Sequence, residues 1–152
     1  HGQKYCKRSS YFRWFEKWNK QDLTRIIKSN MSSAKVEKPI PFSEVLALKV
    51  LHRTSSGRVR VLEVKTDKGS FEVRGDKTRW LLKRGSRGKS ILFSSGFTIQ
   101  KFSDQVLIEG WGNGHGIGMC QMGAMERAKS GHDFKQILNA YYTGIELVQM
   151  RF

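Results

Sequence analysis

Residues 110–131, GWGNGHGIGMCQMGAMERAKSG, constrain the fold more than any other stretch. Five glycines within residues 110–118 surround one histidine, His115, between a strand-like run (QVLIEGW) and a helix-like one. Glycine admits positive φ and the close approach of another chain or a ligand, at an entropic cost of about 0.5–1 kcal/mol relative to alanine in regular structure. The chain must therefore leave a strand, turn through conformations that side chains resist, and enter a helix. Such a loop serves either as a binding surface made of backbone or as a tight internal turn.

A glycine loop between strand and helix suggests a phosphate or dinucleotide site, but the spacing argues against both. No G-x-G-x-x-G register is complete from Gly112, Gly114 or Gly116. The G-x-x-x-x-G of residues 118–123 is followed by Ala-Met, where a phosphate loop needs Lys-Ser/Thr. A Cys–His hydrolase is a second possibility, with Cys120 at a helix start, where the dipole lowers a thiol pKa, and His115 as base. An inert, structural Cys120 is the competing reading. His115, Cys120 and His132 can be drawn as metal ligands, yet their spacing matches no zinc pattern, and no metal or cofactor is expected.

The rest of the chain alternates strand and turn signals. YFRWFEKW (11–18) interleaves aromatic and charged residues as a short strand does. NKQDLTRIIKSN follows as a helix, with Asn19 as N-cap, Asp22 three residues on, and Leu23, Ile26 and Ile27 as an apolar stripe. FSEVLALKVLHRT and RVRVLEVKTD form a hairpin about SSG, and GSFEVRG is a third strand. DKTRWLLKRG reads as a helical turn or two capped by Asp76. KSILFSSGFTIQKF and DQVLIEGW add further strands. After the glycine loop come two helices, one stopped by Gly131 and one capped by Asp133 and stopped by Gly144, and IELVQMRF closes as a strand. Strands cluster centrally without βαβ alternation, so the expected class is α+β: central antiparallel strands, short helices at the N-terminal end, and two helices after the glycine-rich loop.

The 152 residues make one domain's worth of chain. The net charge of +15 is uneven: residues 1–100 carry 23 Lys and Arg against 8 Asp and Glu, while residues 101–152 carry 5 of each. A basic body fits an anionic partner such as an acidic glycan, nucleic acid or an anionic membrane surface, or simply a solubilising surface. No nucleic-acid reader motif accompanies it, so nucleic acid is not expected as a partner. No apolar run approaches the ~20 residues that cross a bilayer. Two cysteines, Cys6 and Cys120, make no disulfide framework. The opening HGQKYC, without Met or a leader pattern, reads as the start of a processed or excised piece.

GWGNGHGIGMCQMGAMERAKSGHDFKQILNAYYTGIEL closely resembles the C-terminal signature of the SpoIID/LytB family, named for stage II sporulation protein D and the amidase enhancer. That pattern runs G-x-G-x-G-H-G-V-G-M-[SC]-Q-W-G-A, a helix, then G-x-[ST]-Y-x-x-I-L-x-x-Y-Y-P-G. His115, Gly116, Gly118, Met119, Gln121, Gly123 and Ala124 fall on it, as do Ile137, Leu138, Tyr141, Tyr142 and Gly144; Ile117, Met122 and Thr143 replace Val, Trp and Pro. SSGRVRVLEVKTDKGSFEVRGDKTRWLL with SILFSSGFTI resembles the family's middle section, and KYCKRSSYFRWFEKWNKQDLTRII the segment that opens its second half. Residues 1–152 would then be a single domain equivalent to the C-terminal part of the family's domain, lacking its N-terminal lobe.

The resemblance implies a bacterial, extracytoplasmic peptidoglycan lytic transglycosylase, which cleaves between N-acetylmuramic acid and N-acetylglucosamine without water and leaves a 1,6-anhydro end. Some members instead stimulate a partner N-acetylmuramoyl amidase. The family's catalytic glutamate lies N-terminal to this stretch, in a Glu-x-Pro-like segment. Glu37 of VEKPIP sits elsewhere in the alignment, so this chain is expected to hold no catalytic acid, with Glu109 the first suspect should cleavage occur. A glycan groove is expected from His115 and Gln121 as hydrogen-bonding groups, Trp111, Tyr141 and Tyr142 as stacking faces, and Gly114 and Gly116 as open backbone. Family placement also implies that Cys6 and Cys120 lie close together.

Overall fold

The computed structural model describes residues 9–83, 90–101 and 104–149. Among them are two three-stranded antiparallel sheets and four short helices, an α+β architecture. Strand β1 (Trp14–Asn19) alternates buried Trp14, Glu16 and Trp18 with exposed Phe15 and Lys17, the period of a strand with one covered face. It runs straight into α1 (Lys20–Asn30). Asn19 is the N-cap expected from sequence: its Oδ1 accepts from the Asp22 amide at 2.7 Å, and its Nδ2 donates to the Asp22 carboxylate at 2.9 Å. Leu23 and Ile27 bury the inner stripe, and Thr24 accepts the Val45 amide at 3.0 Å, tying the helix to the second sheet.

That sheet is β2 (Val45–Arg53), β3 (Val59–Thr66) and β4 (Gly69–Arg74), with β3 central. Centrality explains why β3 buries Val59, Val61, Leu62, Val64 and Thr66, on both its faces. The turn at Thr54–Arg58 closes the β2–β3 hairpin where SSG predicts it. Helix α2 (Lys77–Leu81) forms after Asp76, but Asp76 makes no side-chain cap: it sits at helical φ/ψ, and its carboxylate takes the Arg79 guanidinium at 2.9 Å instead. A buried cation outcompetes an amide for one carboxylate.

Strands β5 (Phe97–Lys101) and β6 (Gln105–Gly110) complete the first sheet in the order β1-β6-β5. Only part of KSILFSSGFTIQKF is strand; residues 90–96 run irregularly and make a parallel bridge, Ser94 to Gly114. The sheets join through the Val59 amide on the Ser95 carbonyl (2.8 Å) and Arg53 on the Phe97 carbonyl (2.9 Å). One apolar cluster draws on both sheets and on α1 and α2, with Trp18, Leu23, Ile27, Leu62, Leu81, Leu92, Phe97 and Ile108 at its centre.

Helices α3 (Gln121–Lys129) and α4 (Phe134–Tyr141) follow the glycine loop as expected. Gly131 (φ +86°) ends α3 in a Schellman arrangement, with its amide on the Ala128 carbonyl and the His132 amide on the Arg127 carbonyl. Asp133 and Gln136 form a reciprocal capping box on α4. The closing strand expected from IELVQMRF is absent over residues 145–149, which are exposed and irregular, and its last three residues lie outside the described ones; no strand among the described residues pairs with it.

Candidate functional site

The glycine loop leaves β6 at Gly110, where an added Cβ would overlap the Trp14 indole. Trp14 therefore lies across the strand end and donates from Nε1 to the Gly112 carbonyl at 3.0 Å. Two backbone bonds and one side-chain bond fix the loop to residues 93–96: the Trp111 amide on the Gly96 carbonyl (2.9 Å), the Gly114 amide on the Phe93 carbonyl (2.7 Å), and the Ser94 hydroxyl on the Trp111 carbonyl (2.6 Å). The first half of the loop is thus stitched to the body. Trp111 belongs to that half: its ring is partly buried against Gly57 and Gly96.

Past Gly114 the chain opens out, and residues 115–122 are all exposed. His115 Nδ1 accepts the Ile117 amide at 3.0 Å. Since a backbone N–H can only donate, Nδ1 is unprotonated and the neutral ring carries its proton on Nε2. Tyr142 reaches back from the end of α4, and its hydroxyl accepts the Met119 amide at 3.1 Å. His115 and Tyr142 therefore meet at Gly118, whose Cβ position is 3.8 Å from His115 Cε1 and 3.7 Å from the Tyr142 hydroxyl. Gln121 opens α3 on the same exposed run. Tyr141 points elsewhere: its hydroxyl packs onto Gly123, and its ring faces the Arg127 guanidinium at 5.8 Å. Of the groove residues expected from sequence, His115 and Tyr142 come together at Gly118 and Gln121 follows them; Gly114 is hydrogen-bonded to Phe93 and Arg58, Gly116 lies on the Arg58 guanidinium, and Trp111 and Tyr141 spend much of their surface on packing.

Cys120 is the N-cap of α3, and its Sγ accepts the Gly123 amide at 3.4 Å, a helix-starting role. Its expected proximity to Cys6 lies outside the described residues. Glu109 stands on the exposed face of β6 and Glu37 in an exposed loop. Among the described residues no group of three His, Cys, Asp or Glu side chains is placed to hold a metal ion. Two surface hollows, of about 640 Å³ beside α1 and about 540 Å³ beside β4, are lined by no residue of the glycine loop.

Sequence reasoning missed Arg58. It begins the run into β3, yet its side chain passes under the glycine loop: Nη1 donates to the Gly114 carbonyl at 3.2 Å, and Gly116 (φ +77°) packs directly on the guanidinium, where any Cβ would collide. Burial lowers the Arg58 pKa from its ordinary value, and the nearby Arg79 charge lowers it further, opposed by Asp76 and Cys120. The partners are 56 residues apart in the chain, so no local pattern announces them.

The profile of the family described as Domain of unknown function (DUF8618) matches residues 2–118. An uncharacterized protein of Brachyspira hyodysenteriae is 47% identical over 55 residues, 36% of this chain and 15% of that protein. The Bacillus subtilis protein named "Amidase enhancer" is 42% identical over 60 residues, 40% of this chain and 8% of that protein. The matched stretches are thus small parts of both relatives. Among the described residues no helix is long and apolar enough to cross a membrane.

Proposed function

The chain belongs to the DUF8618 family, a domain of unknown function, and from that premise we propose that it is the glycan-holding part of a SpoIID/LytB-like peptidoglycan lytic transglycosylase of the bacterial envelope. The similarity to a protein named "Amidase enhancer" supports a cell-wall role. The observation that carries the reading is the exposed run 115–122, on which His115 and Tyr142 meet over Gly118. A sugar ring lies flat on such a surface. His115 Nε2–H donates to an acetamido or hydroxyl oxygen, and the Gln121 amide both donates and accepts. The basic body attracts the carboxylates of an anionic wall polymer.

Cleavage requires an acid that protonates the leaving glycosidic oxygen as the C1–O bond breaks. The muramic acid 6-hydroxyl then closes on C1 and returns a proton, so no water is consumed. In this reading that acid comes from outside residues 1–152, and the present chain holds the strand in place. The test is co-sedimentation of the chain with purified glycan strands, with mass spectrometry of the supernatant. Binding without release of anhydro-muropeptides is expected. Anhydro products would place the acid within this chain and turn attention to Glu109. No binding would sink the reading.

A second reading, an amidase-stimulating module, is favoured by one observation. Ile117, Met119, Met122, Phe134 and Val148, on and around α3 and α4, are all exposed, and exposed apolar side chains suit a protein partner. An N-acetylmuramoyl amidase assay with and without the chain separates the two: acceleration without glycan binding would favour the module.

A further inference from the structure

We propose that Arg58, beneath the glycine loop, is a carboxylate-binding residue that reads an acidic group on the glycan held at that loop; this rests on the glycan reading of the loop. Arg58 is half-buried, and among the described residues no carboxylate is in ion-pair contact with it. Asp76, the carboxylate whose charge acts on Arg58, is committed to Arg79, which is itself only 8% exposed and also donates from Nε to the Leu92 carbonyl at 2.8 Å. Two guanidinium groups thus share one carboxylate in a partly desolvated place, which leaves one positive charge uncompensated there. A guanidinium has five N–H donors, and a single described hydrogen bond, Nη1 to the Gly114 carbonyl, occupies one.

That bond also fixes the direction of the group. With Nη1 held by Gly114 and Gly116 lying on the guanidinium, the planar fork cannot swing freely into solvent as a surface arginine does. A fixed, partly desolvated fork suits a carboxylate, which it can take through two parallel N–H···O bonds. An arginine whose only task was to support the loop would gain nothing from lacking a counter-charge. Peptidoglycan offers the matching chemistry from two sources, the lactyl group of muramic acid and the free carboxylates of the stem peptide. A neutral N-acetylglucosamine polymer offers none.

The experiment is NMR titration of the full 152-residue chain, following the Arg58 Nε–H and the amides of Gly114, Gly116 and Gly118. The probes are N-acetylmuramic acid, N-acetylglucosamine and the dipeptide L-alanyl-D-glutamate. Muramic acid is expected to bind about tenfold more tightly than N-acetylglucosamine, the scale of one charged hydrogen-bonded contact, and to shift Arg58 Nε–H. Arg58→Gln should abolish the preference while leaving the weaker binding of N-acetylglucosamine, and Arg58→Lys should restore part of it. A shift at Arg58 with the dipeptide instead assigns the subsite to a stem-peptide carboxylate. Equal binding of the two sugars, with no Arg58 shift from any probe, overturns the proposal and leaves the glycan reading standing. A shift at Arg58 from the dipeptide, with no sugar perturbing the loop, keeps the carboxylate subsite and removes the glycan reading. If Arg58→Gln does not fold, the wild-type Nε–H response alone decides: movement supports the subsite, and silence with muramic acid and dipeptide refutes it.

Discussion

His115 contributes one directed donor to the proposed surface, because its other nitrogen is occupied by the Ile117 amide. Replacing it with alanine should weaken binding of glycan strands about 2–10-fold, the worth of one net hydrogen bond. Its ring is exposed, so the melting temperature should change little; a large loss of stability would mark His115 as a structural turn residue. Gly116 should behave in the opposite way. Alanine there is strained by about 1–3 kcal/mol from the left-handed conformation alone, and it also collides with Arg58, so calorimetry should show a clear destabilisation. Asp67 offers a pH test away from the site. Its carboxyl is held below the ordinary 3.8 chiefly by the Glu44 amide and then, against some desolvation, by the Ser43 amide. A depressed carboxyl pKa adds stability that is complete above 3.8 and is lost as pH falls through the folded value. Wild type should therefore melt above Asp67→Ala at neutral pH, and the pH-dependent part of that gap should close in acid.

At the scale of elements, the loop and the two helices after it differ in how they are held. Residues 110–114 are fastened by hydrogen bonds to 93–96 and by Trp14, whereas α3 buries only Gly123 and α4 buries nothing. The helices persist because their ends are well made: a Schellman stop, a capping box, and the bond between Tyr142 and the Met119 amide. Removing the capping box with Asp133→Ala should cost about 1 kcal/mol of local helix stability. Because α4 is not part of the buried cluster, hydrogen exchange in α4 should accelerate while the main unfolding transition stays put. A matching fall in the global transition would show that α4 is coupled to the core.

At the scale of the whole molecule, the buried cluster contains, among the described residues, none beyond Ile108. Amides of β3 and β6 should therefore exchange through global unfolding and those of α3 and α4 through local opening, two classes separable in one hydrogen-exchange experiment. The charge is global as well. With +15 carried by residues 1–100, binding to wall polymer should weaken steeply between low and physiological salt. The His115→Ala defect, a short-range contact, should keep its ratio across the same range.

Much was legible from the sequence because the signals are local. Asn19 and Asp133 act within three residues of themselves, Gly131 ends its own helix, and the alternation in β1 reports burial directly. The glycine–histidine run likewise announced an unusual turn before a helix. Asp76 misled because its competing partner, Arg79, was buried by tertiary contacts that no capping rule includes. IELVQMRF misled because a strand needs a neighbouring edge, which alternation does not supply. Arg58 was invisible because its contact with Gly114 spans 56 residues. Local chemistry thus determined the elements and their ends. Only the packing of the two sheets decided which charges lost water and what lay beneath the glycines, since desolvation depends on atoms brought together from distant parts of the chain.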